Sequence, residues 1–88
     1  MKNPKEAIGD KLGIPKDISL DLPRITASGN REVYIENYKS LIAYDASEII
    51  IGNKKFRVSV TGEKMEIKSI RRDDIVIFGQ ILHVDFKM

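Results

Sequence analysis

The chain contains no cysteine, no tryptophan and only one histidine among its 88 residues. The absence of cysteine excludes disulfides, thiolate zinc sites and thiol redox centres. No run of residues approaches the roughly 18 apolar positions of a membrane-spanning helix, and the first residues lack the apolar segment of a secretory signal. The sequence therefore predicts a protein that is made and kept in the cytoplasm and is not integral to a membrane.

Charge of one sign is not concentrated along the chain. Fifteen Lys and Arg residues are interleaved with thirteen Asp and Glu residues, which gives a net charge of +2. The only adjacent basic pairs are Lys54-Lys55 and Arg71-Arg72, and Asp73-Asp74 directly follows the second pair, which cancels its field within a Debye length. Because nucleic-acid binding by charge needs a clustered basic stripe, the composition argues against a nucleic-acid partner.

One side of the predicted sheet could still be weakly basic and face an anionic membrane surface. Its members would be Lys39, Lys54, Lys55, Arg57 and Lys68. Glu48 and Glu66 lie close by in the sequence, and they favour an ordinary solvated face instead.

Residues 1–21 differ from the rest of the chain. Asn3 and Pro4 suit the start of a short helix, and Gly13 and Pro15 suit its end. Apolar residues then alternate with polar ones up to residue 22. The sequence therefore predicts a short helix and an extended lead-in over residues 1–21, followed by one β domain over residues 22–88.

From residue 22 onward the hydrophobic period is that of β-strands. Phe56, Val58 and Val60 alternate with polar residues, and the stretch from Leu82 to Phe86 does the same. The turn signals are Gly29-Asn30, Asn37, Asp45, Gly52-Asn53, Thr61-Gly62, Arg72-Asp73 and Gly79-Gln80. Gly52-Asn53 has the composition of a tight two-residue hairpin turn. Two consecutive apolar runs, Ile49–Ile51 and Ile75–Phe78, predict strands that are covered on both faces or that are central to a closed structure.

Short strands at intervals of about 7–10 residues, with almost no helix, predict an all-β fold. We expect a small antiparallel meander of about six to seven strands that forms a sandwich or a partly open barrel. The alternative is a β-solenoid-like stack, although the irregular intervals and the hairpin turn favour the meander.

The usual catalytic and metal-binding patterns are missing from the sequence. His83 has no Cys, Ser or acidic partner at motif spacing and is expected on the exposed side of a strand. Asp73 and Asp74 are adjacent in a predicted turn, where their carboxylates would be splayed and solvated rather than convergent. The single glycines form no phosphate-binding loop. The sequence therefore predicts no enzyme, no cofactor and no metal site.

The segment from Leu22 to Asn37 is more polar than a plain hairpin requires. Pairing around the Gly29-Asn30 turn predicts an ion pair between Arg24 and Glu36. Two readings remain open: a structural corner whose polar groups satisfy the backbone, or a face that binds a partner protein. The residues of this candidate partner-binding face are Arg24, Thr26, Asn30, Tyr34, Glu36 and Asn37.

The chain resembles the YabP/YqfC family of bacterial sporulation proteins, most closely the YqfC branch. The resemblance rests on Leu22-Pro23-Arg24-Ile25-Thr26, Gly29-Asn30, Tyr34-Ile35-Glu36-Asn37, Gly62, Ile77 and Gly79. Members tend to end near a tyrosine, whereas this chain has Phe86, so a hydrogen bond from that hydroxyl is not expected here. The resemblance implies a protein of the mother cell during spore formation, without enzymatic activity and with a membrane-protein partner.

Three hypotheses for the function of the chain follow from these features. The first is an interaction module that binds a membrane or coat sporulation protein, or a second copy, at a sheet edge and at the candidate face. The second is a self-assembling structural component of a spore layer. The third and weakest is a nucleic-acid or small-ligand binder, which would need an aromatic platform built from Tyr34, Tyr38 and Tyr44.

Overall fold

The computed structural model describes residues 22–87, which form six β-strands. The strands are β1 (Arg24–Ser28), β2 (Glu32–Glu36), β3 (Ser40–Tyr44), β4 (Glu48–Gly52), β5 (Arg57–Ile70) and β6 (Asp74–Lys87). Every pairing between them is antiparallel. The prediction of an all-β antiparallel fold is confirmed, and the solenoid alternative is wrong. The helix and lead-in predicted for residues 1–21 lie outside the described residues.

The strands form one open sheet in the order β1-β2-β6-β5-β4-β3. Strands β3 to β6 follow one another as a meander, as the sequence predicts. The β1–β2 hairpin departs from this order because β2 pairs with β6 rather than with β3. The long hairpin of β5 and β6 therefore lies at the centre of the sheet.

Two of the turns predicted from the sequence are wrong, because they lie within the strands of the central hairpin. Thr61-Gly62 and Gly79-Gln80 lie inside β5 and β6, which are each 14 residues long. Register shifts around Gly62 and between Glu63 and Glu66 mark β-bulges there, and a bulge breaks the alternation of apolar residues just as a turn does. The Gly62 N–H donates to the Ser47 carbonyl at 3.1 Å, and the Gly79 N–H donates to the Arg31 carbonyl at 3.0 Å. The bulged middle of the hairpin thereby holds the turns of both outer hairpins.

The sheet has two half-sheets on either side of these bulges. The first half-sheet consists of β1, β2, residues 74–78 of β6 and residues 66–70 of β5, paired in that order. In the second, β3 and β4 extend residues 57–61 of β5 and 83–87 of β6. Buried side chains of both half-sheets belong to one hydrophobic cluster, so the open sheet folds over itself around a shared core. The fully buried members are Val33, Ile35, Ile49, Ile51, Val58, Val60, Ile75 and Ile77.

The two apolar runs are buried on one face and half-buried on the other. Ile49 and Ile51 are buried whereas Ile50 is half-buried, and Val76 is likewise half-buried beside buried neighbours. Coverage of both faces is therefore only partial, whereas the alternative of a central position holds for β6, which lies between β2 and β5.

The turn predicted at Gly52-Asn53 is also different in the structure. Gly52 is the last residue of β4, and the connection to β5 runs over residues 53–56. The Asn53 side chain sets this connection by accepting backbone N–H groups, which a two-residue primed turn does not need.

Candidate functional site

Four of the six predicted face residues share the outer side of the first half-sheet. Arg24 lies opposite Glu36 and Thr26 lies opposite Tyr34 in the β1–β2 register, while the intervening Ile35 is buried. Arg24 Nε is 3.9 Å from Glu36 Oε1, and both side chains are substantially exposed, at 63% and 40%. The predicted ion pair across the ladder is present, but pairs this exposed add little to stability.

A second charged group extends this face onto β6. Arg71 Nε and Nη2 donate to the two carboxylate oxygens of Asp74 at 2.8 and 3.0 Å, and the Tyr34 hydroxyl donates to Asp74 at 3.3 Å. The hydrogen bonds from Arg71 lower the pKa of Asp74. Burial, followed by the charge of Asp74, raises the pKa of Tyr34. At neutral pH the face therefore presents an ionised carboxylate and a neutral phenol donor.

The other two predicted residues lie at opposite ends of the β1–β2 hairpin. Asn37 has a φ of 66°; its amide donates to the Leu22 carbonyl at 2.8 Å, and its backbone N–H donates to the Asp73 carbonyl at 2.8 Å. Asn30 lies in the turn, where its carbonyl accepts the Ile81 N–H at 2.7 Å. These contacts give both residues a structural role, since their polar groups satisfy the backbone as in the structural-corner hypothesis.

Strand β3 forms an exposed apolar edge that was not predicted from the sequence. All five residues of this strand are exposed, including Leu41 at 36%, Ile42 at 43% and Tyr44 at 51%. Within residues 22–87 the strand pairs only with β4 and ends the sheet. A run of consecutive apolar residues is typical of a buried strand, and only the strand order shows that this one lies at an edge.

The second half of β6 is another apolar edge. Strand β2 covers only residues 74–78 of β6, and in the described part of the chain nothing pairs with the outer side of residues 83–87. Phe86 lies opposite buried Val58 and therefore on the inner face of the sheet. Even so, Phe86 is 61% exposed and Leu82 is 60% exposed.

The tyrosines do not form a common stacking platform. Tyr38 is buried, and its hydroxyl donates to the Arg71 carbonyl at 2.8 Å. The Tyr44 hydroxyl accepts the Ile67 N–H at 3.3 Å, whereas Tyr34 lies on the outer face of the first half-sheet. This arrangement does not provide the aromatic platform that the third hypothesis requires.

The remaining candidates for chemistry are dispersed. His83 is exposed on β6 opposite Thr61, as predicted for this residue. Across residues 22–87, no three His, Asp or Glu side chains are placed to hold a metal ion together. The same residues include no helix with the length and apolarity needed to cross a membrane.

Comparison with known proteins shows the family to which the chain belongs. The model of the YabP family matches residues 21–88. The chain belongs to the YabP family. A Bacillus subtilis (strain 168) relative described as uncharacterized protein YqfC is 36% identical over 70 residues, which cover 80% of this chain and 75% of the relative. No solved structure matches the chain. The YabP-family match includes all six strands, and the family resemblance stated from the sequence is confirmed.

Proposed function

We propose that this chain is a non-enzymatic interaction module of spore formation that binds a partner protein by strand addition at β3. Membership of the YabP family supports a role in sporulation. The observation that carries the proposal is an uncharged, apolar edge strand in which every residue is exposed. Strand addition at such an edge gains main-chain hydrogen bonds, and the adjacent side chains supply specificity.

Charge distinguishes β3 from the other sheet edges. Natural proteins block unwanted pairing at edges with charged residues and proline. Strand β1 begins at Arg24 just after Pro23, and the outer part of β6 carries Asp85 and Lys87. Strand β3 carries no charge from Ser40 to Tyr44, and it is therefore the edge best suited to accept another strand.

The partner that fits this setting is a membrane or coat protein of the developing spore. The chain would act from the mother-cell cytoplasm, at the periphery of a membrane, and the polar face of Arg24, Thr26, Tyr34 and Glu36 would form a second contact region. The absence of an enzymatic role is part of the proposal.

Photo-crosslinking in sporulating cells tests the β3 assignment. A benzoylphenylalanine in place of Tyr44 preserves an aromatic ring at the edge and is expected to form one discrete adduct with a sporulation protein. Ile42→Lys in the same chain should abolish the adduct, because it introduces the charge that blocks edge pairing. Leu82→Lys, on the other apolar edge, is the matched control and should leave the adduct intact.

The crosslinking result can also contradict the proposal. Absence of a discrete adduct, or equal loss with Ile42→Lys and Leu82→Lys, would exclude β3 as the docking edge. An adduct lost only with Arg24→Glu would assign docking to the polar face of the first half-sheet instead.

Self-association is a second candidate function, favoured by a different observation. If two copies of β6 pair antiparallel about a two-fold axis at Val84, Leu82 lies opposite Phe86 of the second copy. His83 then lies opposite Asp85, so apolar residues meet on one face and complementary polar residues meet on the other. Such a contact is isologous and gives a closed dimer rather than a filament.

A charge exchange tests this dimer by analytical ultracentrifugation. His83→Asp places carboxylates opposite each other twice and should weaken dimerisation about tenfold. Asp85→Lys should also weaken dimerisation, because it removes the carboxylate that faces each imidazole. The double variant places a carboxylate opposite an ammonium group at both sites and should recover dimerisation. A protein that stays monomeric at millimolar concentration, or variants that fail to compensate each other, would contradict the pairing. Ile42→Lys should have no effect.

A further inference from the structure

A basic depression of about 360 Å³ lies at the end of the second half-sheet where β4 passes into β5. Its lining contains four cationic side chains and no carboxylate. The lining residues are Asn53, Lys54, Lys55, Phe56, Arg57 and Lys87. Both ion pairs found within residues 22–87 lie elsewhere, so none of the four cations is neutralised by an acidic side chain of that range.

The loop that carries two of these lysines is held in place by its neighbours. The Asn53 Oδ1 accepts the backbone N–H of Lys55 at 2.8 Å and that of Phe56 at 3.1 Å. The Asn53 N–H donates to the Phe56 carbonyl at 3.0 Å, and the Phe56 side chain is buried in the core. The two lysines therefore start from a fixed backbone, which reduces the entropy lost when they bind a ligand.

The sheet itself adds the other two cations. Arg57 lies directly opposite Lys87 in the β5–β6 register. Like charges at directly opposed positions destabilise a sheet, and here the repulsion is reinforced by the neighbouring lysines. Nothing in the packing of residues 22–87 requires this concentration of charge, because the side chains of Arg57 and Lys87 are exposed.

The acidic residues expected to offset this charge are absent from the depression. Glu48 lies at the opposite end of β4, opposite Thr61, and its carboxylate accepts the Ser59 hydroxyl at 2.9 Å. Glu66 lies opposite Phe78 in the first half-sheet. The four cationic side chains are exposed to solvent, but neither Glu48 nor Glu66 lies close enough in the sheet to balance their charge.

We propose that this basic depression binds a phosphate group, carried either by a small soluble anion or by a lipid headgroup. The Arg57 guanidinium can donate to two phosphate oxygens at once, and the lysine ammonium groups act as point charges around it. The volume is at the lower end of the range for small-ligand sites. A phosphate anion would also relieve the repulsion between the four cations. The site involves no residue of β3 and is independent of the strand-addition proposal.

The test compares two full-length variants that each lose two positive charges. Lys54→Gln/Lys55→Gln alters the basic depression, whereas Lys64→Gln/Arg72→Gln removes the same charge from exposed positions outside it. Thermal melting is followed during titration with inorganic phosphate and with pyrophosphate, against chloride at matched ionic strength. The wild type and the control variant should be stabilised by pyrophosphate beyond chloride, and the depression variant should bind about tenfold more weakly.

The melting curves without phosphate provide an internal check on folding. Because Lys54→Gln/Lys55→Gln removes repulsion, the unliganded variant should melt no lower than the wild type. If phosphate and chloride act alike on the wild type, or if both variants lose the same affinity, the proposal is overturned.

Vesicle flotation then distinguishes the two phosphate sources. Binding to phosphatidylglycerol vesicles but not to phosphatidylcholine vesicles, with competition by pyrophosphate and loss in the depression variant, would assign the site to a lipid headgroup. Pyrophosphate binding without vesicle binding would assign it to a soluble anion. Absence of both kinds of binding would overturn the proposal.

Discussion

Gly62→Ala is expected to lower the free energy of unfolding by about 3 kcal/mol or more. A Cβ atom at this position would overlap the carbonyl oxygen of Gln80 on the paired strand. The Gln80 carbonyl belongs to the backbone, and a Cβ atom at position 62 is attached rigidly to the backbone, so no side-chain rotation relieves the overlap. The Gly62 N–H is also held by the Ser47 carbonyl at 3.1 Å, so neither strand can move away without losing hydrogen bonds. Thermal melting should show a midpoint lowered by about 12 °C or more.

Gly29→Ala is the matched control for this prediction. Gly29 has a φ of 55°, but an added Cβ would meet nothing within 4 Å, so the expected cost is only the backbone strain of about 1 kcal/mol. Gly29→Asn should cost less still, because asparagine tolerates this conformation. If Gly29→Ala and Gly62→Ala lower the midpoint equally, close approach of β5 and β6 is not what requires glycine at position 62.

These two glycines also show how far the sequence predicts the fold. The Gly29-Asn30 signal correctly located the first hairpin and brought Arg24 near Glu36, although the connection contains three residues, 29–31, and this length is what places Arg24 directly opposite Glu36. Gly62 and Gly79 carry the same local signal but lie in bulges within long strands. A glycine can be required by a turn or by the close approach of two strands. Which of the two applies depends on whether a partner strand lies next to it, and this is not evident from the local sequence.

The candidate surfaces depend on non-local pairing, which the sequence does not determine. The attachment of β2 to β6 leaves β3 at the edge of the sheet, although its apolar run is typical of an interior strand. The basic depression needs Lys87, which is more than thirty positions from Lys54 in the sequence and reaches it only through the β5–β6 register. The sequence therefore identified the polar hairpin face and three of the four cations of the basic depression, but it did not indicate Lys87 or the edge position of β3.

Ile49→Ala is expected to cost about 3–4 kcal/mol of unfolding free energy, because it removes a fully buried side chain and leaves a cavity. For a domain of this size, that is a large part of the total stability. Ile50→Ala, one residue further along the same strand, removes a half-buried side chain and should cost about 1 kcal/mol. Urea denaturation at low protein concentration measures both values.

The pair of isoleucine variants also tests whether the outer face is uncovered in solution. Equal losses at positions 49 and 50 would mean that the outer face of the second half-sheet is as well covered as the core. If the loss at position 50 grew with protein concentration, the cover would be a second copy of the chain, because only association depends on concentration. If the two losses stay unequal at every concentration, the outer face of β4 is uncovered, and association must involve the sheet edges at β3 and β6.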